Sequence, residues 1–166
     1  MANSDYPSGL WPAKHAHGGR LIARFYKSGG TVYQGDAVKM ATDGDLIAAA
    51  TGDTIMGVAA NYASVDEADL WVYDDPAVIF MVQHDGTPAQ IDMGQLYDHT
   101  DPTGDTVTLR SKHELQTSTA TDGSATFRML DKVDRPDNDW GEFVDVYVEI
   151  VEHQRQRKYD SALAGI

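Results

Sequence analysis

Short apolar runs alternate with turn-forming clusters along this chain, and the spacing is that of strands. Arg20 to Lys27 has strand composition and ends at Ser28-Gly29-Gly30. Thr31-Val32-Tyr33 follows, then Gln34-Gly35-Asp36 as a turn. Ala37 to Met40 and Leu46 to Ala50 flank Asp43-Gly44. Asp-Gly between two apolar runs is a hairpin signal, because both residues accept positive φ. Ile55 to Ala60 is a further strand, and Gly57 within it marks a bulge or a close backbone approach. Residues 20 to 60 are therefore predicted to form a compact meander closing toward a small barrel.

Asn61 to Ala68 reads as a loop or one helical turn, a point of subdivision. Leu70 to Tyr73 is a strand, and Ala77 to Gln83, the most apolar run, is predicted to be central and buried on both faces. Weaker strands are expected at Ala89 to Met93, Thr106 to Arg110 and Ala125 to Leu130. In Phe143 to Val151 the alternation is plain: Val144, Val146, Val148 and Ile150 share one face. The predicted fold is all-β, a small barrel or sandwich of short antiparallel strands. Residues 1–19, rich in Pro and Gly, are predicted to run as an extended N-terminal arm. Residues 20–152 form the β-rich domain and 153–166 a polar C-terminal tail, where His153 to Leu163 is the one stretch with helical character.

Charge sharpens this picture. Residues 41 to 109 carry thirteen Asp or Glu and no Lys or Arg, so they hold the whole formal net charge of −13. The acids cluster in turns, as at Asp43-Gly44-Asp45, Asp74-Asp75 and Asp98 to Asp105. Such a surface repels nucleic acid and other polyanions, and keeps a protein soluble. There is no Cys, which excludes disulfides and thiolate metal sites. The first residues lack a basic and an apolar signal region, and no apolar run is long enough to span a bilayer. Synthesis in a reducing cytoplasm, with no membrane partner, is the expectation.

Candidate chemistry is sparse. His15 and His17 form a His-x-His pair, and His84 with Asp85 and His99 with Asp98 and Asp101 are conceivable ligand clusters. All but the first pair sit in turns, where Asp is expected for local backbone hydrogen bonds. Neither a nucleophile elbow nor a phosphate loop or dinucleotide fingerprint is present. No enzyme activity, metal or cofactor is expected. Trp71 and Tyr73 share a strand face and are expected to pack as core or against a sheet. The arm reads either as a frayed terminus or as a strap across a neighbouring subunit, anchored by Leu10 and Trp11. Arg155, Arg157 and Lys158 make a basic island that is either a solvated end or a second arm docking on an acidic neighbour.

Several segments then fall into a familiar order. An extended arm precedes Gly35-Asp36-Ala37-Val38; Gly52 to Ala60 and Val78 to Gln83 follow. Phe127-Arg128-Met129-Leu130 stands ahead of the Pro136-Asp137-Asn138 turn, and Val148 to His153 closes the series. Across residues 20 to 153 this order resembles the small head decoration (cement) proteins of tailed bacteriophages. The resemblance implies a structural virion protein on the outer surface of the capsid. It would bind the major capsid protein where capsomers meet, associate with copies of itself as trimers or dimers, and stiffen the shell. Two other classes stay open. A carbohydrate- or host-surface-binding module predicts Trp71 or Trp140 exposed in a groove beside Asp and Asn; a hydrolase predicts two carboxylates converging in a pocket.

Overall fold

The computed structural model describes residues 3–119 and 125–155, and it is all-β, with eleven strands and a single 3-10 turn at Gln90–Asp92. Strands β2 (Arg24–Gly29), β4 (Leu46–Ala48), β3 (Ala37–Met40), β5 (Gly57–Ala59) and β6 (Asp66–Tyr73) close a barrel in that order. Five strands would make an open sheet with two raw edges; closure removes both. A six-stranded antiparallel sheet runs β1 (Trp11–His15), β7 (Val78–Gln83), β11 (Asp145–Ile150), β10 (Phe127–Lys132), β8 (Leu96–His99), β9 (Leu115–Thr119). This sheet also curls. Leu115 bridges to His84 just past β7, and the Asp85 N–H donates to the Leu115 carbonyl at 3.0 Å. No helix among the described residues is long and apolar enough to cross a membrane.

The barrel forms where turn chemistry dictates it. Val38, Lys39 and Met40 pair with Ala48, Ile47 and Leu46 around the Asp43-Gly44 turn, where Gly44 takes φ 98°. Gly57 is a close approach: a Cβ there would lie 2.2 Å from the Tyr73 carbonyl oxygen. Its interior is made of Val32, Val38, Leu46, Met56, Leu70 and Val72. The larger core lies in the sheet, around Phe80, Phe127, Met129 and the inward face of β11, Val146, Val148 and Ile150. Ala37, Ala49, Ile55 and Val58 from the barrel side join it, so the barrel packs against the sheet core while its own interior remains a separate cluster.

Three expectations need correction. The stretch Ala89 to Met93 is a 3-10 turn, because the Asp92 carboxylate accepts the Ala89 N–H at 2.7 Å. Thr106 to Arg110 is a loop, because Asp105 accepts the N–H groups of Val107 and Thr108 at 2.8 and 2.9 Å. Both cases show an Asp side chain outbidding the strand ladder for backbone donors. Third, β6 begins at Asp66, inside the stretch expected as a loop, and bulges at Glu67, whose φ is 61°.

The N-terminal segment is extended, as its Pro and Gly content requires, but it is built into its own domain. β1 pairs with β7, Trp11 opposite Met81 and His15 opposite Val78. Ahead of it, Asn3 donates to the Asp139 and Glu142 carbonyls, and Gln83 accepts the Tyr6 N–H while donating to the Ser4 carbonyl. Residues 153–155 are a bridge and turn, with Gln154 N–H donating to the Ile55 carbonyl at 2.8 Å. The rest of the helical stretch expected after His153 lies outside the described residues.

Candidate functional site

Most of the acidic turns hold backbone. Asp43, Asp53, Asp75 and Asp105 each accept an N–H within a few residues of themselves. The histidine candidates are likewise engaged. His15 has Nε2 at 3.3 Å from Asp75 and its Nδ1 accepts the His17 N–H, while His84 Nδ1 accepts the Gly86 N–H. Asp98 receives the Thr126 N–H and hydroxyl. Among the described residues no three His, Asp or Glu side chains converge as a metal site.

At the barrel–sheet junction Asp36, His99 and His113 are buried together, 2%, 1% and 3% exposed. The Ala37 N–H donates to His113 Nδ1 at 3.3 Å, so the neutral ring carries its proton on Nε2. That nitrogen lies 3.4 Å from Asp36 Oδ1, inside ion-pair range but without hydrogen-bond geometry. Burial pushes Asp36 up to about 6 and His113 down to about 3. The pair is therefore an ionised Asp beside a neutral His at pH 7. The cluster lines the junction as a polar seam between the two units.

A second seam is centred on Asp74, which has a fully buried side chain at the end of β6. The Tyr26 hydroxyl and Arg155 Nη1 both donate to its Oδ2 at 2.5 Å, and Arg24 Nε lies 3.4 Å from its Oδ1. Arg155 thus pairs with an acidic residue of its own chain. Arg157 and Lys158 lie outside the described residues. Leu10, expected as an anchor for a neighbour, is 1% exposed in the chain's own core and donates its N–H to the Gly35 carbonyl. Trp11 is partly exposed, its indole N–H donating to the Ser8 carbonyl at 3.0 Å.

The outer wall of the barrel carries what sequence reading missed. Phe25 on β2 stands directly opposite Trp71 on β6, with ring centroids 5.6 Å apart and planes at 70°. They are 49% and 46% exposed. Trp71, expected to pack inward, faces out because Leu70 and Val72 on either side of it fill the barrel interior. Tyr73 does pack against the main core. Beside the aromatic pair, Lys27 Nζ binds Asp69 at 2.8 Å and lies 5.6 Å from the Phe25 centroid. Asn61 fixes the far edge of β6, accepting the Trp71 N–H at 2.7 Å and donating to the Asp69 carbonyl. Leu21 and Ile22, exposed just ahead of β2, add apolar surface. The missed signal was the run Leu70-Trp71-Val72, large apolar residues on both faces of one strand, which requires two partners rather than one.

Comparison with protein-family models, with curated proteins and with solved structures gives no match.

Proposed function

We propose that this chain is a structural protein of a phage virion, binding the outer surface of the capsid and bridging capsomers. The observation that carries the reading is the Phe25–Trp71 pair on the barrel wall. It is an exposed aromatic contact held rigid by a ladder and by Asn61, framed by the Lys27–Asp69 ion pair. Grouped apolar residues with a polar rim are the surface chemistry of a protein interface, where aromatic side chains carry much of the binding energy. The order of segments that resembles head decoration proteins supports the same reading. So does the acidic surface, which limits aggregation between decorated particles. In this reading the barrel wall meets the major capsid protein or a neighbouring copy.

The test is co-sedimentation of the purified chain with undecorated phage heads, quantified to saturation. Stoichiometric binding and heads more resistant to heat are expected. The double substitution Phe25→Ser, Trp71→Ser should abolish binding while leaving the fold intact. Full binding by that variant would remove the barrel wall from the interface, and no binding by the unaltered chain would end the capsid reading.

A further inference from the structure

We propose that the groove on the outer face of the six-stranded sheet, between Trp11 with Arg110 and the loop over residues 135–143, binds a neutral oligosaccharide. The groove encloses about 780 Å³, a volume typical of small-ligand sites. Its floor is Met81, which lies between Trp11 on one neighbouring strand and Tyr147 on the other. Tyr6, 64% exposed, stands on one wall. The aromatic surface is preorganised, since the Trp11 indole is fixed by the Ser8 carbonyl and hydroxyl at 3.0 and 3.2 Å. Flat aromatic faces suit the C–H faces of a sugar ring, and planar side chains suit its hydroxyls.

Charge selects among occupants. The charged residues lining the groove are Arg110, Arg135, Asp137 and Asp145, which sum to zero. Arg135 is consumed by Asp137 at 3.1 Å and Asp145 at 2.6 Å. Arg110 is different: its guanidinium lies 5.1 Å over the Trp11 ring and has no carboxylate partner among the described residues. Its N–H donors are open to a ligand. An acidic chain would approach against the formal charge of −13, and a basic one would meet Arg110. A neutral polyol meets neither penalty.

The backbone around the groove is also held off its resting conformation. Leu109, which aims Arg110, has φ 59°, and Phe143, which lines the opposite wall, has φ 57°. These are two of the three non-glycine residues with positive φ in the described chain. Such conformations persist where surrounding structure over-determines them, and they cluster at ligand sites. The inference does not rest on the capsid reading. It also moves the expected sugar platform: Trp71 stands on the barrel wall and Trp140 packs against the core, while Trp11 holds the groove.

The test uses the whole chain on a natural-glycan array, followed by fluorescence titration of the best neutral glycan with hexaglutamate and hexalysine peptides as competitors. Saturable glycan binding is expected, weakened about tenfold or more by Tyr6→Ala and by Arg110→Ala, with unchanged melting temperature. Both residues are exposed, so these variants fold. Three results would overturn the proposal: no neutral glycan bound on the array, a bound glycan indifferent to both substitutions, or displacement of the glycan by either peptide at lower concentration.

Discussion

The barrel and the curled sheet divide the chemistry of this molecule unequally. The barrel interior is built of Val, Leu, Ala and Met with Tyr26 packed against it, and the buried Asp74 carboxylate sits just past the end of β6. The sheet and its junction hold Phe80 and Phe127, together with four of the six histidines, His84, His99, His113 and His153, all buried. Closure explains the difference. A barrel of five strands satisfies its own ladder and has a narrow interior, and the polar side chain buried on β2, Ser28, donates to the Val65 carbonyl at 2.7 Å. The sheet is finished by irregular segments, where the Gly86 and Arg155 N–H groups donate to His84 and His153 Nδ1, and at the junction the Ala37 N–H at the start of β3 donates to His113 Nδ1. The barrel wall is thereby free to present aromatics, while the junction becomes the pH-sensitive part.

The largest break in this division should come from Phe80→Ala. Phe80 is fully buried in the sheet core, and its truncation should cost about 3–5 kcal/mol. Because barrel residues join that core, urea unfolding followed by Trp fluorescence and by far-UV dichroism should shift together; separate transitions would show two independently stable units. Gly57→Ala tests the barrel alone. With 2.2 Å between the new Cβ and the Tyr73 oxygen, the strands must separate, a loss of about 1–3 kcal/mol, and an unchanged melting temperature would rule out the close approach.

Acid should act on the junction. His113, lowered to about 3 from 6.5, and His153, lowered to about 4, take up protons more readily unfolded than folded. Their stabilising share is complete above pH 6.5 and is lost as pH falls toward those values. Asp36, raised from 3.8 to about 6, has the opposite sign: its share is present below pH 3.8 and lost as pH rises through 6. Between pH 4 and 6 the two kinds of group oppose each other. His113→Gln should therefore remove a slope of about 1.4 kcal/mol per pH unit from the acid limb, and Asp36→Asn should steepen that limb. Chemical denaturation at a series of pH values reads both slopes, and parallel curves for wild type and variants would contradict the assignment. The smallest effect belongs to the barrel wall, where Phe25→Ser with Trp71→Ser should cost no more than about 1 kcal/mol; a larger loss would make the pair structural.

The barrel was legible in the sequence because its strands are neighbours along the chain and its turns carry their own chemistry. Asp43-Gly44 and Gly57 each did what their residue types require. So did the face of Val144, Val146, Val148 and Ile150, all buried. The sheet was less legible. Leu96-Tyr97-Asp98-His99 has too mixed a composition to announce a strand, and it becomes β8 only because β10 and β9 supply its partners. The groove was invisible for the same reason: Trp11, Arg110 and the 135–143 loop are far apart in sequence, and Trp11 meets Met81 only through the β1–β7 pairing. Leu10 was misread because an apolar residue in a Pro/Gly-rich stretch looks unpartnered until the Gly35 carbonyl and the sheet core are placed beside it.

The order of strands in the sheet has a consequence in time. The barrel draws on residues 24–73, one contiguous stretch, and its hydrogen-bond circuit can close once Tyr73 has left the ribosome. β7 follows at once, with its most apolar face exposed, yet its partner β11 is not made until residue 150. β1 is the one ladder partner already synthesised. The early strand thus shields one edge of the nascent β7 while the other waits, which guards the growing chain at the interval when a bare apolar strand is most prone to aggregate.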